Sequence, residues 1–387
     1  MLILITNGKI LTSQGWIEKG WLLFENSQII SLGQGATDVV ADKIIDAKGD
    51  YILPGGIDVH VHGGGGCDFM EGTEEAFRVA ATTHLKHGTT TIYPTLSASS
   101  TEMIMAAAAM TDKLMKEPNT TIMGLHLEGP YFNMVMAGGQ IPEYIRNPQK
   151  EEYTYILENT NCIKRWDAAP ELEGAIEFGC YASSKGVIVS IGHTAADYKV
   201  VKQACEAGYS HATHFYNAMT GVHKQREFKH EGTIESIYLM DNMSVELVAD
   251  GIHVPPVIMN MVCKFKGVER TCLITDAMGC TAGNSNDMFD PFDPRVIIED
   301  GVCKLSDRSA RAGSIATMDR LIRTMVQQAG VPLADAVRMA SETPARIMGI
   351  YDRKGSLDAG KDADIIFMNE ALELTGVISM GREIEIA

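Results

Sequence analysis

The sequence is short of positive charge. Its 387 residues carry 33 Lys and Arg against 50 Asp and Glu, a formal net charge of −17. Sequence-independent nucleic-acid binding needs a basic footprint, so that class is excluded. An anionic ligand would need a local cationic site working against the overall field. Long apolar runs are also missing: none approaches the ~18–20 residues of a membrane helix. There is no internal repeat and no low-complexity segment. None of the eight cysteines, Cys67, Cys162, Cys180, Cys205, Cys263, Cys272, Cys280 and Cys303, forms a C-x-x-C pair. The expectation is scattered reduced thiols in a cytoplasmic protein. Met1 to Lys9 lacks a basic flank ahead of its apolar run and ends in the turn signal Asn7-Gly8. It reads as a strand and not as a signal peptide. Gly63–Gly66 has neither the G-K-[ST] of a phosphate loop nor dinucleotide spacing.

What is there is a globular composition. Hydrophobic residues make up 45% and charged residues 21%, enough for a sizeable core. The length suits one large domain and a lesser one. Up to about residue 53, short apolar runs separated by Gly and Asn predict small antiparallel β-structure. From Gly56 the rhythm changes. Strands are predicted at Gly56–His62, Thr89–Thr95, Thr121–Glu128, Ile163–Ala168, Val187–His193, Tyr209–His214, Val245–Asp250 and Thr271–Asp276. Helix-like segments fall between them, such as Thr101–Lys116 with Met103, Ala106, Ala107 and Met110 on one face. Eight βα units suggest a closed parallel barrel, with an open parallel sheet of eight strands as the alternative. Gly279–Pro294 reads as a long loop, and a hairpin is predicted around Asp300-Gly301. The tail from Gly355 returns to strands, so both chain ends are expected to build one β-domain.

The imidazoles and carboxylates sit in a telling place. His60 and His62 close the first predicted strand, Glu128 the third, His193 the fifth, His214 the sixth and Asp276 the eighth. In a βα barrel these ends converge on the mouth where active sites lie. His60 and His62 are two apart on a strand and point to the same side. An H-x-H alone is a weak signal, but imidazoles and a carboxylate at several strand ends form a ligand set for zinc or a related divalent ion. Asp276 ends a buried apolar strand and is the candidate general base; its bland alternative is an N-cap carboxylate. The glycines after His62 would let the backbone approach the mouth closely. His126 shares a face with Glu128 but reads, like His84, His87 and His211, as a structural histidine. His223, Lys224, Arg226, Lys229 and His230 form a local positive cluster. It is either a solvated loop face or an anion site with Arg226 as its fork.

These residues lie in motifs that resemble the amidohydrolase superfamily and, within it, the N-acetylglucosamine-6-phosphate deacetylases. The motifs are Pro54–Gly63, His126-Leu127-Glu128-Gly129-Pro130, Ala169-Pro170-Glu171, Gly192-His193-Thr194 and Thr213–Met219. Ala249–His253, Thr275-Asp276-Ala277, Gly313-Ser314 and Gly360–Asp364 continue the match along nearly the whole chain. The resemblance implies Glu128, His193 and His214 as primary metal ligands. It implies His60 and His62 as the pair some members use for a second ion, so one ion or two stays open. Asp276 matches the catalytic acid/base. Asn217, Ala218 and His253 match positions that hold the sugar phosphate, and Gly139, Ala312 and Gly313 belong to the substrate-binding set. Arg226 resembles a phosphate-binding arginine that can come from a neighbouring subunit, which implies a homodimer. Three departures stand out. Phe228-Lys229 follow Arg226-Glu227 where members usually have Pro-Gly. Gln140 falls where many carry a histidine that polarises the substrate carbonyl; glutamine can donate a hydrogen bond but carries no proton. Arg311 stands where an apolar residue is expected, as an added cationic contact or a change in sugar preference.

The fold expected is therefore a (β/α)8 TIM-like barrel over 54–349 with a small β-sandwich domain from 1–53 and 350–387. The expected chemistry is removal of the acetyl group from a phosphorylated N-acetyl amino sugar, N-acetylglucosamine 6-phosphate first, assisted by a divalent metal. Zinc leads on ligand type; iron, cobalt, manganese and nickel suit similar ligands. The alternatives are N-acetylgalactosamine 6-phosphate, another N-acyl compound, or a barrel kept as a non-catalytic scaffold.

Overall fold

The computed structural model describes residues 1–283 and 290–386. Leu2–Thr12, Gly15–Glu25 and Gln28–Gln34 form an antiparallel meander. Lys43–Asp46 and Tyr51–Pro54 then run parallel to the first strand, so the N-terminal β-structure is mixed and not purely antiparallel. Ile365–Met368 adds antiparallel to Tyr51–Pro54, and Leu374–Ser379 and Arg382–Ile384 extend the sheet. Both chain ends thus share one eight-stranded sheet. It closes over its own core of Ile5, Ile10, Leu22, Phe24, Ile52, Ile365 and Ile378. Asn7-Gly8 does not end the first strand as expected. Asn7 takes φ +59° and the pairing register shifts between Ile5 and Gly8. The Asn-Gly chemistry serves a β-bulge here instead of a turn.

The eight predicted barrel strands are all present and parallel: Gly56–Val61, Thr89–Leu96, Leu125–Tyr131, Ile163–Ala168, Ile188–Ile191, Tyr209–Ala212, Ser244–Val248 and Thr271–Ile274. They pair in chain order. The ring closes where the Asp276 N–H donates to the His60 carbonyl (3.0 Å) and the His62 N–H to that of Ala277 (2.8 Å). The third strand begins at Leu125, not at Thr121; only Ile122 bridges to Ile92 before it. The fifth, sixth and eighth strands stop two residues before His193, His214 and Asp276. These three residues have φ of +46°, +28° and +50°. A side chain at positive φ cannot continue a strand, and such strain persists where the surroundings fix it, often at functional sites.

Helices pack around the ring. Glu74–Lys86 starts at a Thr73 cap, and Thr101–Leu114 at a Ser100 cap. The buried face of the second of these is Ile104, Ala107, Ala108, Thr111 and Leu114, one position on from the expected face, and Ala106 is exposed. Thr111 can be buried because its hydroxyl donates to the Ala107 carbonyl at 2.8 Å. No helix among the described residues is long and apolar enough to cross a membrane.

After the eighth strand, residues 279–283 and 290–294 form no strand or helix, and the rest of the predicted loop, 284–289, lies outside the described residues. The hairpin Val296–Glu299 and Val302–Leu305 turns at Asp300-Gly301 as predicted. It gains a third strand, Arg311–Ser314, that the sequence did not suggest. Ser314 ties that strand to the barrel: its N–H donates to the Asp276 carbonyl (2.7 Å), and its carbonyl accepts from Met278 N–H (3.0 Å). The positive cluster is a second hairpin, His223–Gln225 with Phe228–His230, exposed along both strands.

Candidate metal centre and substrate cavity

Three side chains meet at one point: Glu128 from within the third strand, which runs on to Tyr131 and does not end at Glu128 as expected, and His193 and His214 from just past the fifth and sixth. His193 Nε2 and His214 Nε2 each lie 3.0 Å from Glu128 Oε1 and 3.0 Å from one another. The Nδ1 atoms face backbone carbonyls: His193 that of Met136 at 2.8 Å, His214 that of Asn217 at 3.1 Å. A carbonyl only accepts, so both rings carry a proton on Nδ1 and, when neutral, a lone pair on Nε2. Two ring nitrogens and a carboxylate oxygen then converge with no proton between them. That triangle repels itself unless positive charge sits at its centre, and two imidazoles with a carboxylate suit a divalent ion. When no ion is in place, a proton on His214 answers the same demand for positive charge. Burial opposes charge on His214, but Glu128, with Asp276 and Glu246, overrides it and raises the imidazole to about 9. Burial likewise opposes ionisation of Glu128, and the surrounding imidazoles hold it well below the usual carboxylate range.

A second group adjoins the first. His60 Nε2 is 3.3 Å from His62 Nε2, and Asp276 Oδ1 lies 3.5 Å and 3.3 Å from these two nitrogens. Glu128 stands between the groups, its Oε2 3.3 Å from His62 Nε2. His60, His62 and Asp276 could hold a second cation. Burial opposes charge on Asp276, and His60 and His62 outweigh it, so the residue is a carboxylate. The ring closes tightly here. A Cβ on Gly63 would come within 2.2 Å of the Cys67 carbonyl oxygen and 2.8 Å of Gly279 Cα. Only glycine permits that approach.

A charged floor, missed in the sequence, supports these groups. Glu246, on the seventh strand and fully buried, accepts from His60 Nδ1 (3.0 Å) and from the His214 N–H (2.8 Å). It pairs with the buried Arg165 guanidinium, which also donates to Asp167 (3.1 Å) and the Val59 carbonyl (3.1 Å). His126 packs into the floor, 2.8 Å from Asp167 and 3.0 Å from the Thr95 hydroxyl. Its interior reading stands. His84 donates to the Gly63 carbonyl at 2.8 Å and also serves structure. The available signal was the alternation Arg165-Trp166-Asp167, which turns both charges to one side of a strand.

Above Glu128, His193 and His214 opens a cavity of about 340 Å³. Glu128, His193, His214 and Asp276 form its base, and Gly139, Gln140, Asn217, Ala218, His253, Arg311, Ala312 and Gly313 line it. Every substrate-binding candidate is thus present except one. Arg226 sits at the exposed tip of the hairpin, at φ +55°, and does not line the cavity of its own chain. Its strands pair with each other and turn the side chain to solvent. Gln140 lines the cavity and is anchored at both ends of its amide. Its Oε1 accepts from the Ala98 N–H (2.7 Å) and its Nε2 donates to Glu128 Oε2 (2.7 Å). One N–H of the amide is thus engaged by Glu128. His253 Nδ1 is held by Asp250 at 2.7 Å, which leaves Nε2 for the cavity.

Comparison with known proteins adds an independent line. The amidohydrolase family pattern matches residues 51–384. The chain is 31% identical to N-acetylglucosamine-6-phosphate deacetylase of Bacillus subtilis, over 98% of this chain and 96% of that protein. It is 30% identical to N-acetylgalactosamine-6-phosphate deacetylase of Escherichia coli O157:H7, over 97% of each. Among solved structures, N-acetyl-D-glucosamine-6-phosphate deacetylase from Mycobacterium smegmatis superposes with a TM-score of 0.91 at 29% identity, covering 100% of both chains. The corresponding Pasteurella multocida enzyme gives 0.92 at 28% identity over 99% of each.

Proposed function

The chain belongs to the amidohydrolase family, and from that premise we propose that it hydrolyses N-acetyl-D-glucosamine 6-phosphate to D-glucosamine 6-phosphate and acetate, a step of amino-sugar catabolism. The observation that carries this reading is the triangle of Glu128, His193 and His214 lone pairs with Asp276 at the same mouth. A divalent ion held there, zinc first on ligand type, would act as a Lewis acid on water and on the acetamide carbonyl. Glu128, His193 and His214 would hold that ion; His60, His62 and Asp276 are suited to a second.

The chain's own residues do the rest. Asp276 accepts the proton of the attacking water at its carboxylate and returns it to the departing nitrogen, since an amine leaves poorly unless protonated. His60 and His62, beside Asp276, keep it ionised for the first transfer. Gln140 fixes Glu128, and Glu246 fixes His60 and the backbone at His214. Gly139, Asn217, Ala218, His253, Ala312 and Gly313 bind the sugar, and binding remote from the amide fixes the carbonyl against the nucleophile. We further propose a cytoplasmic homodimer, in which the exposed hairpin with Arg226 lies at the neighbouring subunit.

The galactose epimer is the second reading, because relatives named for the two substrates are matched at 31% and 30% identity. Acetate release tests both. The panel is N-acetylglucosamine 6-phosphate, its galactose epimer, N-acetylmannosamine 6-phosphate and unphosphorylated N-acetylglucosamine, each with chelated and zinc-reconstituted protein. Metal-dependent release confined to phosphorylated sugars is expected, greatest for the glucose form. Greater release from the epimer selects the second reading. No release from any sugar by metal-loaded protein contradicts both.

A further inference from the structure

We propose that Arg311, from the same subunit as the metal ligands, holds the substrate's 6-phosphate. The inference rests on the deacetylase reading and adds to it the residue that selects phosphorylated sugars. A phosphate entering this cavity meets Glu128 and Asp276 at the base of a protein of net charge −17. It therefore needs a built-in cation. Arg311 is the one Lys or Arg among the described residues that line the cavity. Arg226 is outside the cavity of its own chain.

The fold aims Arg311 at this place. It opens the strand Arg311–Ser314, whose far end is bonded to the Asp276 backbone through Ser314. The side chain is exposed at the rim, and its guanidinium lies 3.3 Å from Asn217 Oδ1 and 3.4 Å from the Ile252 carbonyl. Asn217 in turn touches metal ligand His214 at both the side chain and the carbonyl, each at 3.1 Å. One residue, Asn217, thus links the arginine to His214. The two contacts Arg311 makes are long and use one N–H of each terminal nitrogen, so the other three of its five donors remain for a dianion. The Ala312 and Gly313 backbone that follows forms the cavity wall beside it.

The test is steady-state kinetics of the full-length, metal-loaded protein with Arg311→Gln and Arg311→Lys. Arg311→Gln is expected to raise KM for N-acetylglucosamine 6-phosphate at least tenfold and to leave kcat within about threefold. Its kcat/KM for unphosphorylated N-acetylglucosamine falls at least fivefold less than that for the phosphorylated sugar. Arg311→Lys, which keeps the charge but not the fork, falls between. An unchanged KM in Arg311→Gln overturns the proposal, as does an equal loss on both sugars or a rise in KM that follows only Arg226→Gln. If wild type hydrolyses none of these sugars, the deacetylase reading fails by itself. Calorimetry with D-glucose 6-phosphate then decides about Arg311: weaker binding by Arg311→Gln supports the assignment, and equal binding overturns it.

Discussion

Gln140 Nε2 lies 2.7 Å from Oε2 of Glu128, and the Ala98 N–H fixes the other end of the same amide. Glu128, a proposed metal ligand, is therefore oriented by a neutral donor anchored at its other end. Outer partners of this kind commonly matter 10- to 100-fold for metal affinity. Gln140→Leu, close in size, should weaken divalent-ion binding by about that factor and lower turnover at limiting metal. Metal titration followed by acetate release checks it, and excess metal should restore much of the loss. Undiminished metal affinity would show that Glu128 needs no such support.

Glu246 is the counter-charge under the site. Burial opposes its ionisation, but Arg165 and His60 together keep it well below the usual carboxylate range. Glu246→Gln keeps the shape and strands the Arg165 charge with Asp167 alone. Breaking a buried pair this way costs about 3–5 kcal/mol. Denaturant unfolding should show a loss of that order together with weaker metal binding. A loss below ~1 kcal/mol would mean that the floor tolerates an unpaired charge, against expectation for a buried site.

Acid should destabilise the fold through His84. Burial pushes this imidazole from 6.5 down to about 4, with the Gly63 carbonyl only partly opposing. Below pH 6.5 the unfolded chain takes up a proton that the folded chain refuses until about pH 4. Its share of stability is thus complete above 6.5 and falls as the pH drops through that window. Urea unfolding at pH 7 and pH 5 checks this. His84→Gln should flatten the pH dependence by close to one proton, and an unchanged slope would contradict it.

Much of this was legible before the structure. The eight barrel strands are short apolar runs, and His60, His62, His193, His214 and Asp276 stand at or just past their ends with Glu128 within the third, so the fold's own geometry collects them. What stayed hidden depends on contacts between distant segments. Arg165, Asp167 and Glu246 interrupt apolar runs, and only a closed ring shows that they face one another inside it. Gln140 was placed at the cavity, but its partners come from Ala98 and Glu128, on other loops and strands. The strand Arg311–Ser314 follows a polar turn and is held by Asp276 and Met278, a pairing with no local signature. The buried helix face was misread by one position because Thr111 counts as polar until its hydroxyl finds the Ala107 carbonyl.

The central claim is that Asp276 moves the proton in a metal-dependent deacetylation. It is tested most directly by acetate release from N-acetylglucosamine 6-phosphate with metal-loaded Asp276→Asn beside wild type. The account predicts a metal content near that of wild type, since Glu128, His193 and His214 are untouched. It predicts a fall in kcat of ~10²-fold or more, the usual worth of a positioned acid/base. Turnover equal to wild type at equal metal content would contradict it.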